Sequence, residues 1–120
     1  MERQTFERLV RVALGTIPED FRRRLENVDI IVEDWPSQDQ LAGHFVDDSH
    51  LLLGLYEGVP LTERADYLAI LPDRITIFQG SIESICESNE EIVSEIRTTV
   101  IHEVAHHFGI DDARLEELGV

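Results

Sequence analysis

The sequence predicts an α+β domain: a small mixed sheet packed against an N-terminal helix and one long helix near the C-terminus. Three observations carry that expectation. Three short segments rich in β-branched and aliphatic residues are each closed by turn residues. The opening residues repeat apolar side chains at helical spacing. The segment from Ser88 to Gly109 has both the start and the stop signal of a long helix.

Taken in order, Thr5 is placed to cap a first helix running to about Leu14, with Gly15 ending it. Phe6, Leu9, Val10, Ala13 and Leu14 form its apolar stripe. Pro18 sits in the first turn of a short helix reaching Arg24 or Leu25. Residues 28–32 read as the first strand, closed by Trp35-Pro36, and residues 37–42 as one helical turn. Residues 51–57 read as the second strand, stopped by Gly58 and Pro60. Residues 61–73 lack a dominant period and read as a loop with ordered pieces. Residues 75–78 are the third strand, ended by Gly80.

The strongest element is the helix over residues 89–108. Ser88 and Glu91 make a capping box, and Gly109 supplies a left-handed stop. A short helix over residues 112–118 follows. No repeat or linker interrupts the chain, so residues 1–120 are expected to form one domain.

Composition narrows the function classes. Hydrophobic residues make up 42% and charged residues 29%, the balance of a folded rather than a disordered chain. The formal charge of −15 repels phosphate backbones, and the one basic cluster, Arg22-Arg23-Arg24, is too short to reverse that; nucleic acid is not expected as a partner. No apolar run is long enough to span a bilayer, so no membrane association is expected. The opening residues lack the apolar core of a secretory signal, and the lone Cys86 has no partner for an internal disulfide. Both favour a cytoplasmic location. Cys86 itself reads as a small buried hydrophobe.

The chemistry is concentrated in His102-Glu103-Val104-Ala105-His106. Residues four apart share a helix side, so His102 and His106 can aim two imidazoles at one metal ion. Glu103 lies one position on, near enough to accept a proton from a metal-activated water without being a ligand. On a helical wheel with Ile92 at zero, Ile96, Val100, Val104 and Phe108 fall between about 40° and 160°, while the two histidines fall near 280° and 320°. The histidines thus point away from the centre of the apolar stripe. Arg97 falls inside that stripe with no evident partner. His107, near 60°, reads as a hydrogen-bonded core histidine rather than a ligand. His44 and His50 read as exposed loop residues.

The five-residue pattern arises by chance in about 2% of chains of this composition, but its extension does not. Gly109 and Asp112 complete His-Glu-x-x-His-x-x-Gly-x-x-Asp, with a chance expectation of about one in ten thousand. Gly109 permits a reversal that brings Asp112 back toward the histidines as third ligand, leaving the fourth position of a Zn²⁺ ion to water. Asp112 also suits the N-cap of the last helix, a role that Asp111 can share. Glu116 or Glu117 stands as an alternative third ligand.

At these residues the sequence resembles the small bacterial zincin-like metallopeptidases, sometimes called mini-zincins. The resemblance rests on residues 100–109 followed by Asp112, Leu115, Leu118 and Gly119, and extends to residues 53–64 and 72–78. It implies a minimal zincin core, with zinc held by His102, His106 and Asp112 in the aspartate-type arrangement and Glu103 as general base. The chain departs from the metzincin pattern in lacking a third histidine and a downstream methionine turn.

The first functional expectation is therefore a zinc-dependent peptidase acting on peptide or protein substrates. An extended substrate would add as a strand to a sheet edge, supplied by residues 51–57 or 75–78. The second is a metal-binding or regulatory module whose peptidase chemistry is latent, completed by a partner or by a second copy in a homodimer. A metal-dependent nuclease ranks last. Glu103, Asp112 and the charge of −15 all oppose it.

Overall fold

The computed structural model describes residues 1–42, 52–58 and 72–118, without the side chains of Asp112 and Leu118. The apolar stripe at the N-terminus becomes helix α1 (Arg3–Gly15), which buries Phe6, Val10 and Ala13 completely or nearly so. Leu9 and Leu14 pack partly against the same core. The helix begins earlier than expected: Glu2 is its N-cap, makes no side-chain capping bond, and leaves Thr5 inside the helix.

Arg3 explains that early start. Its Nε donates to Gln79 Oε1 at 2.8 Å, its Nη1 to the Val32 carbonyl at 2.6 Å, and its Nη2 to Asp34. One guanidinium fork thereby ties the first turn of α1 to two distant segments. Helix α2 (Glu19–Arg24) follows, with Pro18 as N-cap and Phe21 buried.

Strand β1 (Val28–Glu33) leads to helix α3 (Gln38–Ala42). Ser37 and Gln40 exchange bonds at its start: Gln40 N–H donates to Ser37 Oγ at 3.1 Å, and Ser37 N–H to Gln40 Oε1 at 2.8 Å. Strand β2 (Gly54–Glu57) falls within the expected second strand, and Leu51, where that strand was expected to begin, lies outside the described residues.

Strand β3 (Asp73–Phe78) is the centre of a three-stranded sheet of order β1-β3-β2, parallel to β1 and antiparallel to β2. It is longer than expected at its start. Ile75, Thr76, Ile77 and Phe78 are all buried, as a central strand with both faces covered requires.

Gly80 does not end β3. It lies in a helix the sequence reading missed, α4 (Gln79–Ile85), which begins directly after Phe78. Gly80 N–H donates to the Asp34 carbonyl at 2.8 Å, and the Trp35 ring occupies the space a Cβ would need. The glycine therefore serves close packing rather than a turn. Helix α5 (Asn89–His107) buries Ile92, Ile96, Val100 and Val104 as the stripe predicts, and Thr99, Ile101 and Ala105 besides, but Phe108, the last member of the stripe, is exposed at the helix end. Its first turn is capped by Ser88 Oγ, which accepts from Glu91 N–H at 3.2 Å. The reciprocal bond goes one residue further out, from Glu87 N–H to Glu91 Oε2 at 2.8 Å.

Gly109, at φ +76°, takes the expected left-handed conformation after α5, and helix α6 (Asp112–Leu118) closes the described chain. Among the described residues no helix is long and apolar enough to cross a membrane. The architecture is the expected α+β arrangement, a mixed sheet with helices packed around it.

Candidate metal centre

Strand β2 lies along α5, and the two elements advance together. Two strand residues rise about 6.8 Å and four helix residues about 6.0 Å, so alternate strand positions keep pace with successive helix turns. A Cβ at Gly54 would sit 2.5 Å from Thr99 Cγ2, so only glycine admits this closeness. One step on, Tyr56 N–H donates to Glu103 Oε2 at 3.3 Å. At Gly58 the equivalent position lies 3.5 Å from His107 Cε1. Thr99, Glu103 and His107 thus form the helix face covered by β2.

The hydrogen-bond alternation of β2 explains why that amide is available. Phe78 N–H donates to the Leu53 carbonyl. In an antiparallel ladder the inward-bonded residues are then Leu53, Leu55 and Glu57, while Gly54 and Tyr56 turn their backbone groups outward. β2 is a sheet edge among the described residues, and Glu103 sits on it. Residues 75–78 cannot serve as a substrate-binding edge, because β3 is paired on both sides.

His102 and His106 come together on the neighbouring side of α5. His102 is half-buried and His106 exposed, with ring centroids 6.1 Å apart and planes tilted by 39°. A tetrahedral zinc with Zn–N bonds of about 2.0–2.1 Å holds two imidazole centroids on the order of 5 Å apart. The observed separation is somewhat wider. Two imidazoles and a carboxylate on one helix suit a divalent, nitrogen-preferring ion. Among the described residues no three candidate ligands cluster, and the Asp112 side chain lies outside them.

The backbone around Asp112 is nonetheless informative. Arg114 N–H donates to Asp111 Oδ1 at 2.8 Å, so Asp111 caps α6 and Asp112 is its first helical residue. Capping therefore does not fall to Asp112. Glu117 Oε2 accepts from Arg114 Nη1 at 2.8 Å, and its side chain is 66% exposed. His44 and His50 lie outside the described residues.

His107 departs from expectation. Its side chain is 37% exposed rather than buried, stacked on the Tyr56 ring at 3.9 Å and 20°, with Nε2 3.9 Å from Asp73 Oδ2. Tyr56 Oη in turn donates to Asp73 Oδ2 at 2.7 Å. Sequence reading missed Tyr56 and Asp73. The available signals were their place in the two segments that carry the resemblance and the glycines, Gly54 and Gly58, bracketing an aromatic at strand spacing. Arg97, without a partner in the sequence reading, reaches Thr16 O beyond the end of α1 at 3.5 Å.

A helix presenting two histidines and a glutamate beside the edge of a mixed sheet defines the zincin class of site. The chain belongs to the zincin-like metallopeptidase family, whose model matches residues 25–120. Among solved structures it is similar to a conserved hypothetical protein from Thermus thermophilus, with a TM-score of 0.56 and 23% identity, covering 90% of this chain and 94% of that one. At that identity the likeness concerns the fold. Comparison with curated proteins gives no match.

Proposed function

We propose that the protein is a zinc-dependent metallopeptidase in which His102, His106 and Asp112 hold the metal and Glu103 is the general base. The observation that carries this reading is the 3.3 Å bond from Tyr56 N–H to Glu103 Oε2, which puts a carboxylate on the sheet edge nearest the histidines. A zinc ion, when bound, would acidify a water and polarise the scissile carbonyl.

The chain's own residues do the rest. Gly54 turns its backbone N–H and C=O outward on this edge, where an extended peptide adds as a further strand, while the Tyr56 N–H is engaged by Glu103. Glu103, on the same edge, accepts the attacking water's proton at its carboxylate and delivers it to the leaving amine. Val104 and Ala105, both fully buried, fix the helix turn between the histidines. The stack of His107 on Tyr56, with Asp73 on the phenol, holds the strand against the helix.

The test is elemental analysis of the purified chain, followed by a peptide-library cleavage assay with and without zinc. Zinc-dependent cleavage abolished in Glu103→Gln supports the reading. Stoichiometric zinc with no cleavage of any library member contradicts it, and favours a metal-binding module instead.

A further inference from the structure

An acidic chain of charge −15 gathers three of its ten basic residues around one groove. The groove, of about 670 Å³, lies between α2 and the start of α6, with Phe21 and Ile110 as apolar lining and Arg23, Arg24 and Arg114 beside them. Its size is that of a small-ligand or peptide side-chain site. Asp20 is the one acidic residue lining it among the described residues.

The three guanidinium groups differ in their engagement. Arg23 pairs with Glu19 at 3.3 Å and Arg114 with Glu117 at 2.8 Å, each with a neighbour on its own helix. Both pairs are well exposed, and pairs of that kind exchange partners at little cost. Arg24 has no ion pair among the described residues. Its guanidinium lies 4.9 Å over the Phe108 ring instead. Stacking fixes the plane of the fork while its N–H donors stay available to a planar anion.

The groove also adjoins the C-terminal end of α5. β2 runs from Gly54 beside Thr99 to Gly58 beside His107, toward the C-terminal end of α5. Phe108 follows directly, edge-on to His107 at 5.1 Å, and carries Arg24. Ile110 and Arg114 then form the far wall.

We propose that this groove is a subsite for peptide carboxylates, taking an acidic side chain or a chain terminus of a substrate. The proposal rests on the peptidase reading for its role, but not for its existence as a binding site. The surrounding negative charge disfavours polyanions, so short acidic peptides fit better than nucleic acid.

The experiment measures binding without turnover, by fluorescence anisotropy on the full chain carrying Glu103→Gln. The probes are a short C-terminally amidated peptide with paired glutamates, its glutamine counterpart, and that counterpart with a free C-terminus. The acidic or free-terminus probe is expected to bind about tenfold more tightly than the amidated glutamine peptide. Which of the two wins separates side-chain from terminal carboxylate. Added Arg24→Gln or Arg114→Gln is expected to erase the preference, while Arg11→Gln on α1 preserves it. If Arg24→Gln unfolds, Arg24→Lys keeps the charge, loses the fork, and is expected to lose most of the preference. Equal binding of all three probes overturns the proposal, as does a preference that survives both groove variants or falls equally with Arg11→Gln. Acid preference without any cleavage by the wild type sinks the peptidase reading alone; cleavage without acid preference sinks the groove alone.

Discussion

Tyr56 N–H donates to the Glu103 carboxylate at 3.3 Å, across a strand and a helix that advance in step. The same match brings Gly54 onto Thr99 and Gly58 near His107, so three contacts a helix turn apart fix β2 against α5. The chemistry assigned to Glu103 depends on that alignment, because it makes the base and the substrate-binding edge one unit.

Replacing Glu103 by Gln keeps shape and removes the base. Turnover of a cleaved peptide is expected to fall by about 10²–10⁴-fold, the usual worth of a positioned acid–base group. Zinc content should be unchanged, since the residue is not assigned as a ligand. Parallel loss of metal would reassign Glu103 to the coordination shell.

Gly54→Ala tests the alignment itself. The added methyl meets Thr99 Cγ2 at 2.5 Å, and overpacking of this kind costs about 1–3 kcal/mol. Both the denaturation midpoint and kcat/KM are expected to drop. Thr99→Ser removes the opposing methyl, so the double variant should recover part of both losses. No recovery would mean that β2 is held some other way.

Much of this was legible in the sequence. Period located α1 and the strands, and period with the Ser88 cap located α5, because those signals are local; the cap expected for α1, Thr5, lies inside the helix. Gly109 marked the end of α5 for the same reason, and His102 and His106 were placed correctly off the apolar stripe. Helix α4 was missed because Gly80 reads as a stop, whereas its role is set by Trp35, a partner distant in sequence. His107 was misread because its wheel position lies within the stripe, whereas at the helix end its ring stacks on Tyr56 and stays 37% exposed. Tyr56, Asp73 and the Arg3 clamp depend on pairings across the fold that no local pattern encodes.

The two adjacent aspartates after Gly109 are expected to separate cleanly. Asp111→Ala removes the cap of α6 and should cost about 1 kcal/mol in unfolding experiments while zinc is retained. Asp112→Ala should lose zinc affinity with little change in the metal-free protein's stability. The opposite pattern would move the third ligand to Asp111.

Cys86, expected to be a small buried hydrophobe, is half-buried and packs against the core. Burial, with Glu95 and Glu91 nearby, raises its thiol above the ordinary value of 9.0. A raised folded-state value favours the neutral thiol, so its contribution to stability is present below pH 9 and lost as pH climbs through the folded value. Alkylation at neutral pH should be slower than for free cysteine and rise only in alkaline solution. Fast labelling at pH 7 that plateaus below pH 9 would contradict this assignment.

The metal centre is tested most directly by zinc stoichiometry of the purified chain beside its His102→Ala variant. The assignment predicts about one zinc per wild-type chain, as in a site closed by three side chains and water, and loss of tight binding in the variant. A wild type that binds no zinc at micromolar concentration, or a variant that binds it equally well, would contradict the account at its centre.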